Sequence, residues 1–296
     1  MHYNFFPNCK NRTAAIKQIC QKYDFVNYSV IGESLCKRPI EALTIGNKTD
    51  GVLMCGAVHG MEWLTTLILL KFFEECCESM RRKTIVSGFK LYRFLLRRGL
   101  TVIPCVNPDG VEIQLGGSLT AGEYSGQING ITNNTSRWQA NARGVDLNHN
   151  FDAGWQALKA MEINAGITKP ASTRYGGEAP FSEPETKCLA DFCRGNSFRH
   201  LLAFHSQGRE IYYDFGPRTP VRSYELGKLF AKSSGYQLEH PEDLAVGGGL
   251  KDWFIETFGK PAFTIEIGKG KNPLPIYSLE AEYKILLEML CFAAAA

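Results

Sequence analysis

The 296-residue chain has no apolar run approaching the roughly 18 residues that a membrane-spanning helix needs. Its opening stretch, MHYNFFPNCKNRT, holds no apolar segment of signal-peptide length. Neither a span nor a secretory leader is therefore expected. A surplus of one charge is also missing, since 33 Lys and Arg against 30 Asp and Glu leave +3. The basic stretch KLYRFLLRRG alternates with apolar residues, as on an amphipathic element, and without a longer basic stripe nucleic-acid binding has little support. Repeats and linkers are absent. We expect one domain over residues 1–296, with 1–29 as an N-terminal helix and lead-in and 30–290 as the core. The ten cysteines form neither a disulfide framework nor a zinc ribbon. Several, such as Cys55 and Cys105, lie inside apolar runs and read as reduced small hydrophobes, which points to the cytoplasm.

What is present is an alternation of apolar strands with helices. RTAAIKQICQKY (12–23) reads as an amphipathic helix, and YSVIGES and IEALTIG as two strands joined by a turn. GVLMCGAV, LTVIPCV, RHLLAFHS and PAFTIEIG are continuous apolar runs, as expected of strands buried on both faces. Helices are expected near 62–79, 182–195, 222–234 and 278–292. Ser182 with Glu185 three residues on reads as a capping box. Residues 116–136, rich in Gly, Ser, Thr and Asn, read as a long loop. The alternation argues for an α/β sheet covered on both faces.

Polar residues interrupt these buried strands at their ends. His59 follows VLMCGAV, His205 follows LLAF, and Glu266 sits in FTIEIG. Each could be a satisfied polar residue at an element end. Ligands in open α/β sheets, however, bind beyond the carboxyl ends of strands, so the three could meet in one crevice. A carboxylate inside a buried strand is also expensive to desolvate without a partner. Two histidines and a carboxylate are the usual ligands of a hydrolytic zinc, with a fourth position left for water. His59 and Glu62, three apart, can both ligate if Glu62 opens a helical turn, and His205 would complete the set. Glu266 is then free to act as general base.

The motifs HGMEW, WQANARGVDLNHNF, FHSQGREIYY and FTIEIG, in that order, resemble the zinc carboxypeptidase family over roughly residues 30–290. The resemblance implies a mixed, mostly parallel eight-stranded sheet with helices on both faces and one Zn²⁺. It implies His59, Glu62 and His205 as its ligands and Glu266 as the catalytic carboxylate. It further implies Arg143 as the oxyanion-stabilising arginine and Asp146 as the carboxylate that orients the first zinc histidine.

The sequence also departs from that pattern. The family's carboxypeptidases carry an Asn-Arg-Asn whose arginine clamps the substrate's terminal carboxylate; this chain reads Asn148-His149-Asn150. A neutral histidine cannot replace a bidentate arginine fork. The family's closing tyrosine also has no counterpart, and Leu244 stands near its place. The pattern, with SQGREIYY, is similar to the branch that cleaves γ-D-glutamyl–diamino acid bonds of bacterial cell-wall peptides. A peptide or muropeptide is therefore the expected partner, with Lys251 or Arg209 as candidates for holding a substrate carboxylate. The alternatives are a general carboxypeptidase with His149 as a partial carboxylate anchor, a small-molecule deacylase, and a non-catalytic peptide-binding relative.

Overall fold

The computed structural model describes residues 2–47, 49–241 and 245–296. Eight strands form one sheet: β1 (Asn27–Glu33), β2 (Pro39–Ile45), β3 (Gly51–Cys55), β4 (Leu100–Ile103), β5 (Phe198–Ser206), β6 (Glu210–Tyr212), β7 (Gln237–Glu239) and β8 (Ala262–Ile267). They lie in the order β1-β2-β4-β3-β5-β8-β6-β7. The central block β4-β3-β5-β8 is parallel, whereas β1/β2, β2/β4 and β6/β8 pair antiparallel. This is the mixed, mostly parallel α/β sheet expected from the motifs.

The helices are α1 (Cys9–Lys22), α2 (Leu64–Arg82), α3 (Leu91–Arg98), α4 (Pro108–Gly116), α5 (Ser125–Ile131), α6 (Trp155–Asn164), α7 (Pro184–Gly195), α8 (Val221–Ser234), α9 (Leu250–Phe258) and α10 (Leu279–Ala295). They cover both faces of the sheet. Alternation along the strands divides the core in two. Leu202, Phe204, Phe263, Ile265 and Ile267 face α2, α8 and α10. Leu201, Ala203 and Ala262 face α7 and α9. Side chains two apart on a strand share a face, so His205 and Glu266 belong with the second set. Both stand near the carboxyl ends of their strands.

Two local expectations are corrected. Residues 116–136 are not an open loop: a 3-10 segment over Ser118–Tyr124 runs into α5. The reason is tertiary, because Ile128 and Ala121 are buried with Ile113 and Trp138 in a small satellite core. The capping box at Ser182 does not form either. The N-cap of α7 is Glu183, with Pro184 in the first turn, and no side chain caps the helix. Ser182 instead donates its hydroxyl to Glu183 and accepts from the Asn150 amide. All ten cysteines are free thiols. Among the described residues, no helix is long and apolar enough to cross a membrane.

Candidate metal centre and catalytic cavity

The loop after β3 builds the first half of the centre. Gly56 and Ala57 carbonyls accept the Val106 and Asn107 amides, and the Asn107 side chain donates to Val58 and Gln139 carbonyls. The chain then makes one 3-10 turn, Gly60–Glu62, closed by Glu62 N–H on the His59 carbonyl. Positions three apart eclipse in such a turn, which puts the His59 and Glu62 side chains on one side. Gly60 passes so close to α4 that an added Cβ would lie 2.3 Å from the Gly110 carbonyl oxygen. Only glycine fits there.

His205 comes from β5, whose buried strand places it beside the turn. Its Nδ1 lies 3.0 Å from Glu62 Oε2 and 3.2 Å from His59 Nδ1, and His59 Nδ1 lies 3.0 Å from Glu62 Oε1. Two imidazole nitrogens and a carboxylate thus converge at separations a few tenths of an ångström inside the roughly 3.4 Å between ligands of a tetrahedral zinc with bonds near 2.1 Å. Among the described residues this is the one group of three metal-ligating side chains so arranged. The donor set fits zinc. On the far side of His59, Nε2 lies 3.0 Å from Asp146 Oδ1. A proton on Nε2 satisfies that carboxylate and leaves the Nδ1 lone pair free for the metal.

Electrostatics follow from the same contacts. Burial works against charge on Asp146, but His59, His149 and the Arg174 N–H outweigh it and hold the carboxyl far below its usual range. Burial likewise opposes ionisation of Glu62, yet His59 and His205 bring its pKa down to about 2. Burial would keep His59 neutral, but Glu62 and Asp146 push its pKa well above 6.5. This pocket of negative charge suits a cation. Glu266 behaves in the opposite way. Burial and the neighbouring charge of Glu62 push its carboxyl well above 4.5.

Beyond the ligands opens a cavity of about 640 Å³. His59, His205, Glu266, Asp146, Asn148 and His149 line it, all of them read from the sequence. His149 is buried, and its Nδ1 meets Glu162 Oε1 at 2.9 Å. Asn148 Oδ1 accepts the Leu250 N–H of α9.

Three sequence candidates do not line the cavity. Arg143 points away, its Nε and Nη2 donating to Glu183 Oε2 at 3.2 and 3.1 Å. Lys251 is buried on α9, where its ammonium meets the Asp214 carbonyl and Asp252 Oδ1. Arg209 pairs with Glu282 Oε1 at 2.5 Å. Each of these cations is engaged by a partner distant in sequence, Glu183, Asp214 or Glu282. Leu244 lies outside the described residues.

The cavity instead holds two arginines not anticipated, Arg137 and Arg174. Arg137 directly precedes the motif WQANARGVDLN, and that adjacency was the available signal. Arg174 lies in a loop with no periodic pattern and no such signal.

The sequence matches the zinc carboxypeptidase family over residues 13–288. It is 34% identical over 273 residues to γ-D-glutamyl-L-diamino acid endopeptidase 1 of Lysinibacillus sphaericus, covering 91% of this chain and 67% of that one. It is 28% identical to carboxypeptidase B of Bos taurus over 91% of this chain and 64% of the relative. The fold superposes on bovine thrombin-activatable fibrinolysis inhibitor with a TM-score of 0.77 at 23% identity, covering 100% and 98% of the two chains. It also superposes on the murein-tripeptide amidase MpaA of Escherichia coli O157 with a TM-score of 0.54 at 24% identity, covering 91% and 90%. With a match across most of its length and a ligand set of the matching chemistry, the chain belongs to the zinc carboxypeptidase family and is a zinc metallopeptidase.

Proposed function

We propose that the protein hydrolyses the bond between γ-D-glutamate and a diamino acid in cell-wall peptides. The observation that carries this reading is the state of His149. Its Nδ1 is taken by Glu162, which is fully buried and also receives the Lys159 ammonium and the Gly176 N–H. What remains toward the cavity is one edge of an imidazole. It offers no bidentate fork at the position where the family's carboxypeptidases clamp a terminal carboxylate. The identity with the L. sphaericus endopeptidase supports the same substrate class.

His59, Glu62 and His205 would hold the zinc, which would supply a Lewis acid able to lower the pKa of water to roughly 7. The chain's own groups do the rest. Asp146 fixes the His59 tautomer through Nε2. Glu266 takes the proton of the attacking water and returns it to the departing amine, a role suited to a carboxyl whose pKa is raised by burial. Arg137 lines the cavity and would supply the cation for the scissile carbonyl oxygen, the role expected of Arg143. Free cysteines fit a reducing compartment, so the substrate is a released wall fragment reaching the cytoplasm.

The test is incubation of the zinc-loaded protein with L-Ala-γ-D-Glu-meso-diaminopimelate and with a panel of ordinary peptides, read by mass spectrometry beside a Glu266→Gln control. Cleavage at the glutamyl bond that vanishes in the control is expected. Release of C-terminal residues from ordinary peptides, with the γ-glutamyl peptide intact, would overturn the reading in favour of a general carboxypeptidase.

A further inference from the structure

We propose that Arg174 forms a carboxylate-binding subsite in the cavity, holding a free carboxylate that flanks the scissile bond. The inference rests on the γ-glutamyl peptidase reading above.

Arg174 is placed with care by the backbone. Its N–H donates to Asp146 Oδ2 at 2.8 Å, the same carboxylate whose other oxygen orients His59. Its φ is 65°, a left-handed conformation that an arginine rarely adopts and that the surrounding contacts must enforce. The flanking Ser172 carbonyl accepts the Gln139 and Ala140 amides, and Thr173 Oγ1 donates to Gln139 Oε1, so the segment is tied to the strand of chain that carries Arg137. The guanidinium itself is exposed, and among the described residues no acceptor or carboxylate engages it.

The other cations near the centre are accounted for. Arg137 is assigned above to the scissile carbonyl oxygen, and its Nη1 also donates to the Asn272 carbonyl at 3.4 Å. His149 is held by Glu162, and Arg143, Lys251 and Arg209 are ion-paired elsewhere. Arg174 is therefore the cationic fork that the cavity wall offers to a ligand. A γ-linked glutamate has what such a fork needs: its α-carboxylate stays free beside the bond to be cut. The diamino acid on the other side carries a carboxylate of its own. Both are the same chemistry, a planar anion suited to two parallel N–H···O bonds.

The experiment uses the zinc-loaded Glu266→Gln protein, with and without Arg174→Gln, and calorimetric titration with three peptides. These are L-Ala-γ-D-Glu-meso-diaminopimelate, the same peptide amidated at the glutamyl α-carboxylate, and the same peptide amidated at the diamino acid carboxylate next to the scissile bond. With Arg174 present, one of the two amidations should weaken binding about 10- to 100-fold, the worth of a charge-assisted hydrogen bond. With Arg174→Gln that amidation should make no further difference. The amidation that loses its effect identifies which carboxylate is held. Arg174→Lys, which keeps the charge without the fork, should retain part of the discrimination and serves as the readout if the glutamine variant folds poorly.

If both amidations weaken binding equally with and without Arg174, or neither weakens it at all, the subsite does not exist. Turnover of the parent peptide by the unmodified protein is measured alongside. Cleavage without any Arg174-dependent discrimination would sink the subsite and leave the proposed function. Arg174-dependent discrimination without cleavage would sink the proposed function and leave the subsite.

Discussion

His205 and Glu266 are direct Cα partners on the adjacent parallel strands β5 and β8. The proposed ligand and the proposed general base are thus fixed to each other by backbone hydrogen bonds of the sheet centre, rather than by a loop. Sites on strands are held more tightly than sites on loops. This register holds the Glu266 carboxyl at a constant distance from the His205 imidazole.

Glu266→Gln should keep the zinc and the fold while lowering kcat by about 10²- to 10⁴-fold, the usual contribution of a positioned general base. Metal content by atomic absorption and steady-state kinetics check it. Loss of zinc in the variant would contradict the assignment of Glu266 outside the ligand set.

Asp146→Ala removes the acceptor that fixes the His59 tautomer. Zinc affinity, measured by competition with a chromophoric chelator, should fall about 10- to 100-fold. An unchanged affinity would show that the 3.0 Å contact orients nothing.

The two arginines separate cleanly. Arg137→Ala should lower kcat by about 10²- to 10³-fold, the worth of a positioned oxyanion donor. Arg143→Ala should leave kcat alone and lower the melting temperature instead, because buried Glu183 loses its guanidinium partner. The reverse result would restore the expectation drawn from the sequence.

Zinc should stabilise the fold by mass action, by about 4 kcal/mol at a thousandfold excess over Kd. Thermal melts with added zinc or chelator measure it. His205→Ala should abolish the zinc dependence, and a shift that survives in that variant would place the metal elsewhere.

Glu185 on α7 gives a pH-dependent case away from the metal. It is buried, its oxygens accept from the Leu35 N–H and the Asn141 amide, and burial with Asp109 nearby pushes its pKa up to about 8. A carboxyl raised on folding is better tolerated when protonated. Its contribution is fully present at low pH and is lost as pH rises towards 8. Glu185→Gln should therefore match the unmodified protein near pH 4 and exceed its melting temperature above pH 8. Equal melting temperatures at both ends would refute this.

Much of the site could be read from the chain because it depends on strands. GVLMC, LLAFHS and AFTIEI are apolar runs whose period fixes which residues face each side, and His205 and Glu266 fall on one face by counting. The His59–Glu62 spacing is equally local. What could not be read depends on distant partners. Arg143 lies inside the motif but is claimed by Glu183, and Lys251 by Asp214, neither of which is implied by local pattern. Residues 125–131 are a short, glycine-containing segment of weak helical propensity, made helical by burying Ile128. Arg174 owes its place to a left-handed turn and a hydrogen bond from its backbone N–H to Asp146 Oδ2, features that leave no periodic trace.

The approach of Gly60 to Gly110 bears on protein engineering. A designer who grafts the His-x-x-Glu pair onto a new scaffold would carry over two ligands but not the gap that lets their turn lie flat on its neighbour. The portable unit is the two loops together, residues 56–62 with 107–110, including both glycines and the Asn107 amide that ties them.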